Sequence, residues 1–287
     1  MRATFYPKVL NRHPILLFCK ERETKMRLEV LLSCMNQADT SIVQRSRLTG
    51  DVLIINQCGK EAQEQIYKGN QRIRMVSTKQ RGLSNSRNLA IHLSDRDICL
   101  LCDDDEVFHE DYECIILKHF EQLKNADVIA FDVSGKKTRL KPEIQRVNWL
   151  NSLKLSSVQL AFRRDSVIKN MLAFDPNMGA GSGNGSGEEN KFLWDCLKRK
   201  LSVYYVPQTI ACLIPGCSTW FSMYDKTFFY QRGAATRHMM GPVLAFLYGI
   251  YYLAVKRNMY KNDISPWNAA WALLKGIWKN PIKKKSG

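Results

Sequence analysis

Ile98-Cys-Leu-Leu-Cys-Asp-Asp-Asp-Glu106 begins as an apolar run and ends in four consecutive acids. A short apolar run bounded by polar residues reads as a buried strand, and the abrupt change sets the carboxylates where that strand leaves the core. Carboxylates crowded at one strand end repel one another unless a cation neutralises them. Hard oxygen donors suit Mg²⁺ or Mn²⁺, ions that keep waters and share their remaining positions with substrate phosphates. The competing reading is a solvated acidic turn facing the N-terminus of the next helix. Cys99 and Cys102 form a C-x-x-C, but positions i and i+3 of a strand point to opposite faces, so neither zinc binding nor redox chemistry is expected of them.

Immediately upstream lies Arg81-Gly-Leu-Ser-Asn-Ser-Arg-Asn-Leu-Ala-Ile91, a glycine turn and a Ser/Asn cap before an apolar-periodic helix over 83–93. Arg81 and Arg87 there are placed to meet a diphosphate, since helix starts and arginines bind phosphate as acid clusters bind metal. Further strands are expected at 28–34, 51–55, 72–76, 127–133, 158–163 and 203–206. Helices are expected at 60–68, 112–123 and 188–200, and 134–157 reads as a polar connection. Strands alternating with helices argue for a mostly parallel sheet covered on both faces, with ligands gathered beyond the carboxyl ends of its strands.

Arg-Gly-x-x-x-x-Arg-Asn followed by a strand ending in Asp-Asp-Asp resembles the family 2 glycosyltransferases of the GT-A fold, over roughly residues 27–205. The resemblance implies a Rossmann-like nucleotide-binding sheet and an Asp-x-Asp motif, here Asp103 and Asp105, with Asp104 between them. Asp105 is then the favoured metal ligand, Arg87 lies beside the donor, and Ser33 and Asn36 follow the first strand where the family lines its nucleotide pocket. The family's Asp after the second strand is replaced by Asn56-Gln57-Cys58. Asn56 retains hydrogen-bonding groups for a nucleobase edge, and a UDP-sugar is the favoured donor.

Between Gly179 and Gly187 every second residue is glycine, which reads as a loop opening onto a helix. Gly187-Glu188-Glu189-Asn190 resembles the family's Gly-Glu-Asp motif, which maps the catalytic base onto Glu189 and keeps Glu188 in play. Displacement at an anomeric carbon needs a carboxylate to take the acceptor hydroxyl's proton. The alternative is that both acids cap the helix. Inversion at the anomeric carbon is implied by the resemblance alone.

The last third changes character. Met239 to Val255 holds no charged residue over 17 positions, the lower limit for a spanning helix, and its glycines, proline and tyrosines favour an interfacial or re-entrant segment. Ser265-Pro266 starts a helix whose Trp267, Trp271, Leu274 and Trp278 share one face, with Lys275 and Lys279 near it, as in a helix lying on a bilayer. Trp220, Gln231, Arg232 and His238 read either as walls of an acceptor site or as part of a helix that packs Phe228, Phe229 and Tyr230, with His238 facing solvent or head groups.

The 287 residues carry 43 Lys+Arg against 27 Asp+Glu, a net +16, so an anionic partner is expected. Ordinary hydrophobic and charged fractions exclude collagen-like, disulfide-knot and disordered chains. The nine cysteines, several in apolar runs, suggest a reducing compartment. Residues 1–25 read as an N-terminal extension with Met26 a second candidate start, 26–215 as the GT-A catalytic domain (nucleotide-sugar half about 26–133, acceptor half about 134–215), and 216–287 as a basic helical region.

The expected activity is metal-dependent, inverting transfer of a sugar from a nucleoside-diphosphate sugar to a glycan or lipid-linked acceptor in envelope or capsule polysaccharide synthesis. It is placed at the inner face of the cell membrane, with 239–287 on an anionic surface. The alternatives are a sugar-nucleotide nucleotidyltransferase, whose N-terminal glycine-rich loop is missing, a basic nucleic-acid or membrane-binding module without catalysis, and a transferase-like chain that has lost activity. Nucleic acid is disfavoured because the basic excess gathers at a Trp-faced helix and no nucleic-acid fold signature is present.

Overall fold

The computed structural model describes residues 26–135, 140–155, 160–182, 187–214 and 223–279. The expected extension 1–25 and Trp220 lie outside them. The apolar runs become strands β1 (Leu28–Met35), β2 (Asp51–Gln57), β4 (Gln71–Thr78), β5 (Ile98–Asp103), β7 (Val128–Ser134), β9 (Leu160–Arg163) and β10 (Val203–Leu213). With β3 (Ala62–Lys68), β6 (Glu106–Phe108) and β8 (Gln145–Arg146) they form one sheet in the order β3-β4-β2-β1-β5-β9-β7-β10-β6, β8 pairing with β10. The central run β4-β2-β1-β5 is parallel, as is β7 with β10. Antiparallel β9 sits between β5 and β7 and joins the two parallel groups.

The segment expected as a helix at 60–68 is instead the edge strand β3. Its sequence, Ala-Gln-Glu-Gln-Ile-Tyr-Lys, has no apolar face to bury, and nearly all of it is exposed. Gly69-Asn70, with Gly69 at a φ of 60°, closes a two-residue hairpin onto β4. That glycine-led turn, and not the intrinsic preference of the strand, decides the structure there. A polar edge strand also protects the sheet from pairing with another chain.

Helices α1 (Ile42–Arg45), α2 (Leu83–Leu93), α3 (Tyr112–Gln122), α4 (Trp149–Ser152), α5 (Arg164–Lys169) and α6 (Glu188–Lys198) cover the sheet. Alternation along β5 sends Leu100 and Cys102 to one face, with Phe108, Ile116 and Phe120, and Cys99 and Leu101 to the other, with Ile91, Phe162 and Phe192. Cys99 and Cys102 are thus divided by the sheet, as their spacing requires. Burial pushes both thiols up, that of Cys99 to about 12. Among the described residues Cys34, Cys58, Cys99, Cys102, Cys196 and Cys212 are free thiols, and Cys114 is disulfide-bonded. In β10, a register shift between Val206 and Thr209 spans Pro207, which has no N–H to give the ladder.

A third core belongs to α7 (Lys226–Val255), α8 (Arg257–Tyr260) and α9 (Pro266–Lys279), built on Phe229, Ala245, Tyr252, Tyr260, Leu273 and Ile277. Asp225 caps α7 by accepting from the Phe228 N–H at 2.7 Å, and Gly241 (φ 81°, ψ 170°) with Pro242 breaks it into two segments. Helices α7 and α9 touch backbone to backbone. A Cβ on Gly276 would lie 2.0 Å from the Tyr230 carbonyl oxygen, and one on Gly233 would lie 2.2 Å from that of Leu273. On the opposite face of α9, Trp267, Trp271 and Trp278 are 87, 72 and 60% exposed.

Candidate active site

Parallel register brings the ends of three strands together, with Ser33 of β1 beside Asp103 of β5, and Cys34 beside Asn56 of β2. Helix α2 enters this edge through Gly82, whose φ of 111° a side chain would strain. The turn is pinned to the loop before α6: Leu83 N–H donates to the Ala180 carbonyl at 3.0 Å and the Ser84 hydroxyl to that of Met178 at 2.9 Å. The Asn88 amide holds the backbone of Phe174 from both sides, donating to its carbonyl and accepting from its N–H, each at 2.7 Å.

Arg87 sits at the centre. Its side chain is 1% exposed, one guanidinium nitrogen donates to both oxygens of Asp103 at 3.0 and 3.1 Å, and the other reaches Glu188 at 3.3 Å. The Phe174 ring lies 5.3 Å from the guanidinium carbon. Arg87, expected beside a donor diphosphate, is therefore committed to two carboxylates and ties the acidic strand end to the start of α6.

The four acids divide their roles. Glu106 is fully buried and accepts from the Asp103 N–H at 2.9 Å, bracing the turn into β6. The Asp105 carbonyl accepts from the Ile214 N–H at 2.8 Å, which fastens the turn to β10. Partial desolvation, then the charges of Asp103 and Asp105, push the Asp104 carboxyl up. Among the described residues no group of three or more His, Cys, Asp or Glu side chains is disposed to hold a metal unaided. Hard carboxylate oxygens with excess negative charge nevertheless fit a divalent cation that takes its other ligands from phosphates and water. Because Arg87 engages both oxygens of Asp103, the arrangement favours Asp105 as the ligand.

Glu188 and Glu189 part at the first turn of α6. Glu188 is buried, accepts from the Gly187 N–H at 3.0 Å and binds Arg87. Gly179 must be glycine for this, since a Cβ there would lie 2.7 Å from the Glu188 carboxyl carbon. Glu189 instead lines a cavity of about 120 Å³ with Gln231 and Arg232 of α7, and its Oε2 is buried without a hydrogen-bond partner. Burial, then the charge of Glu188, push its carboxyl up to about 8 against the opposing effect of Arg87. A carboxylate desolvated by burial and crowded by a neighbouring acid is a stronger proton acceptor than a free one.

Of the residues expected around a nucleotide, some are buried in internal hydrogen bonds and others are exposed at the same sheet edge. Ser33 is buried and accepts from the Ser86 hydroxyl at 2.9 Å. Asn56 is fully buried, its oxygen accepting from the Gln37 N–H and its nitrogen donating to the Gln37 carbonyl and the Ser77 hydroxyl. It clamps the loop after β1, and the expected contact with a base edge is not open to it in this arrangement. Asn36, at a φ of 53°, and Arg81 are exposed at the same edge, and Arg81 donates to the Gln57 carbonyl at 2.7 Å. His238, its side chain 27% exposed, bonds Asp175 at 2.5 Å. Asn88, Gln57 and Glu106 escaped sequence reasoning as organisers of the site. Asn88 stands next to Arg87 in the motif, which was its one available signal.

Residues 23–179 match the family model of glycosyl transferase family 2. Among solved structures the fold is shared with TarS 1-349 of S. aureus in complex with UDP-GlcNAc, at a TM-score of 0.57 and 13% identity over 88% of this chain and 72% of that one. It is shared likewise with the mannosyltransferase PcManGT from Pyrobaculum calidifontis in complex with GDP-Man and Mn²⁺, at a TM-score of 0.52 and 10% identity over 92% of this chain and 94% of that one. No curated protein sequence matches.

Removing Arg87 leaves Glu188 and Asp103 facing each other without a counter-charge. Arg87→Ala is expected to destabilise the fold by about 3–5 kcal/mol, measured by urea unfolding; a loss below about 1 kcal/mol would show that the ion triad is not structural.

Proposed function

The chain belongs to glycosyl transferase family 2 and is a nucleotide-sugar glycosyltransferase, and from this premise we propose that its transfer is metal-dependent and inverting. The acceptor is a glycan or a lipid-linked saccharide of an envelope or capsule polysaccharide. The observation that carries the reading is the fixed relation of the acidic strand end to Glu189, with Arg87 and Glu188 as the link. Within the chain, 26–215 is read as the catalytic unit and 216–287 as the part that meets the membrane. The family match leaves the nucleotidyltransferase and non-catalytic readings without support.

Asp105, with Asp103, would hold Mg²⁺ or Mn²⁺ where the phosphates of a nucleoside-diphosphate sugar bind, UDP-sugar being favoured. The cation would offset the charge that builds on the departing diphosphate. Arg87 keeps Asp103 oriented. Glu189 takes the proton of the acceptor hydroxyl as that oxygen bonds to the anomeric carbon, while the bond to the donor phosphate breaks and its electron pair leaves with the nucleoside diphosphate.

The exposed tryptophans of α9 and the exposed Val243, Leu247 and Ile250 of α7 support an attachment to the cytoplasmic face of a membrane through 239–287. In length and composition α7 would suffice to cross a bilayer. Its break at Gly241 and Pro242 favours a helix pair lying at the surface.

Calorimetric titration of UDP, GDP and CDP with and without Mn²⁺ tests the donor site. One diphosphate is expected to bind only with the metal, and Asp105→Ala to abolish that binding; metal-independent binding, or binding that survives in the variant, sinks the assignment. The ionised fraction of Glu189 grows as pH rises through its elevated pKa, so kcat/KM is expected to increase with pH up to about 8. Glu189→Gln should lose this limb together with at least about 100-fold in rate, and a rate unaffected by the change assigns the base elsewhere. Flotation with anionic vesicles should be lost when Trp267, Trp271 and Trp278 are all replaced by Ser. A salt-sensitive gel shift with RNA or DNA and no flotation would point to nucleic acid.

A further inference from the structure

Beside the cavity of Glu189 lies a larger cleft, about 780 Å³, between α4 with its flanking loop and helix α7. That is the size of a small-molecule site. Along α7 its wall is apolar and aromatic, formed by Leu244, Leu247 and Tyr251, and the exposed neighbours Val243 and Ile250 continue that surface outward. Lys154, Arg232 and Lys256 also line it, and among the described residues no acid does.

Arg232 stands where the two cavities meet. It lines both, as do Leu153 and Tyr248. Its guanidinium lies 4.3 Å from the Tyr252 ring centroid and 5.4 Å from that of Phe228, and its Nε is buried without a hydrogen-bond partner. Among the described residues no carboxylate pairs with it. Stacking on aromatic faces offsets part of the cost of drying a guanidinium, but its planar donors stay matched to a phosphate or carboxylate.

We propose that this cleft is the acceptor site and that the acceptor is an amphiphile with a phosphate-bearing head group. The hydrocarbon chain lies on Leu244, Leu247 and Tyr251, entering from the exposed apolar face of α7. The phosphate is met by Arg232, with Lys154 and Lys256 beside it. The hydroxyl to be glycosylated is carried beyond the phosphate, toward Glu189. The inference deepens the proposed transfer and rests on it only for the role of Glu189. The cleft's own chemistry, a chain-sized apolar wall ending in cations without acids, is independent of that role.

The test titrates decyl phosphate, decyl maltoside and inorganic phosphate into the full chain by calorimetry, without nucleotide and below any micelle-forming concentration. Decyl phosphate is expected to bind about tenfold more tightly than either of the others, the margin one charge-assisted contact supplies. Arg232→Gln should erase the preference over decyl maltoside, and Arg232→Lys should keep part of it. Equal binding of the two decyl compounds, inorganic phosphate as tight as decyl phosphate, or a preference that survives in Arg232→Gln would each overturn the proposal. Should Arg232→Gln fail to fold, the exposed Lys154→Gln decides: a drop of about threefold in decyl phosphate affinity supports the site, and an unchanged affinity overturns it. Metal-dependent nucleotide binding, measured on the same preparation, separates the two claims. If nucleotide binds and decyl phosphate shows no preference, the acceptor inference fails and the donor site stands; if decyl phosphate is preferred and no nucleotide binds, the reverse holds.

Discussion

One buried guanidinium holds the site together. Arg87 is drawn from the middle of a helix, and its two partners come from a strand end 16 residues away and a helix start 101 residues away. A charge removed from water in this way persists only with counter-charges of good geometry, so the ion triad fixes where β5 stops and where α6 begins. It also decides what the neighbouring acids can do. Asp103 and Glu188 are tied to Arg87, whereas Glu189, one residue on, receives only the distant share of that positive charge and lines a separate cavity. The contrast between two adjacent glutamates is thus a product of pairing and burial more than of chemistry.

Much of the sheet was legible because buried parallel strands are written as apolar runs, and the ranges read at β1, β2, β5 and β7 differ from the structure by one or two residues at their ends. The 83–93 helix was legible from its glycine turn and apolar period. Strand β3 was not, since a polar edge strand has no face to bury and only the Gly69-Asn70 turn marks it. The antiparallel insertion of β9 was hidden as well: strand order follows from connections and packing across the whole sheet, which local pattern does not record.

At the site, the residues singled out from sequence lie together at one edge of the sheet, but the motifs do not record how they pair. Asn56 and Ser33 stand at strand ends where a ligand is expected, yet both are turned to internal hydrogen bonds, and only the tertiary register reveals it. Glu188 and Glu189 could not be separated by motif. Successive helical residues differ by about 100° in direction, and which of the two faces Arg87 depends on the angle at which α6 meets the sheet. In the C-terminal helices the tryptophan face was legible from spacing, whereas the aromatic bed under Arg232 joins Phe228, one turn before it, to Tyr252 beyond the break in α7.

The contact between α7 and α9 limits how this chain can diverge. Where two helices press carbonyl oxygen against Cα, as at Gly233 and Gly276, even a methyl group has nowhere to go, and at Gly249 the Leu273 side chain already fills the space. Homologues that keep this helix pair are therefore held to glycine at the two backbone contacts, however far the surrounding surface drifts. A lineage that loses either glycine must part the helices and, with them, remould the floor on which any bound molecule rests.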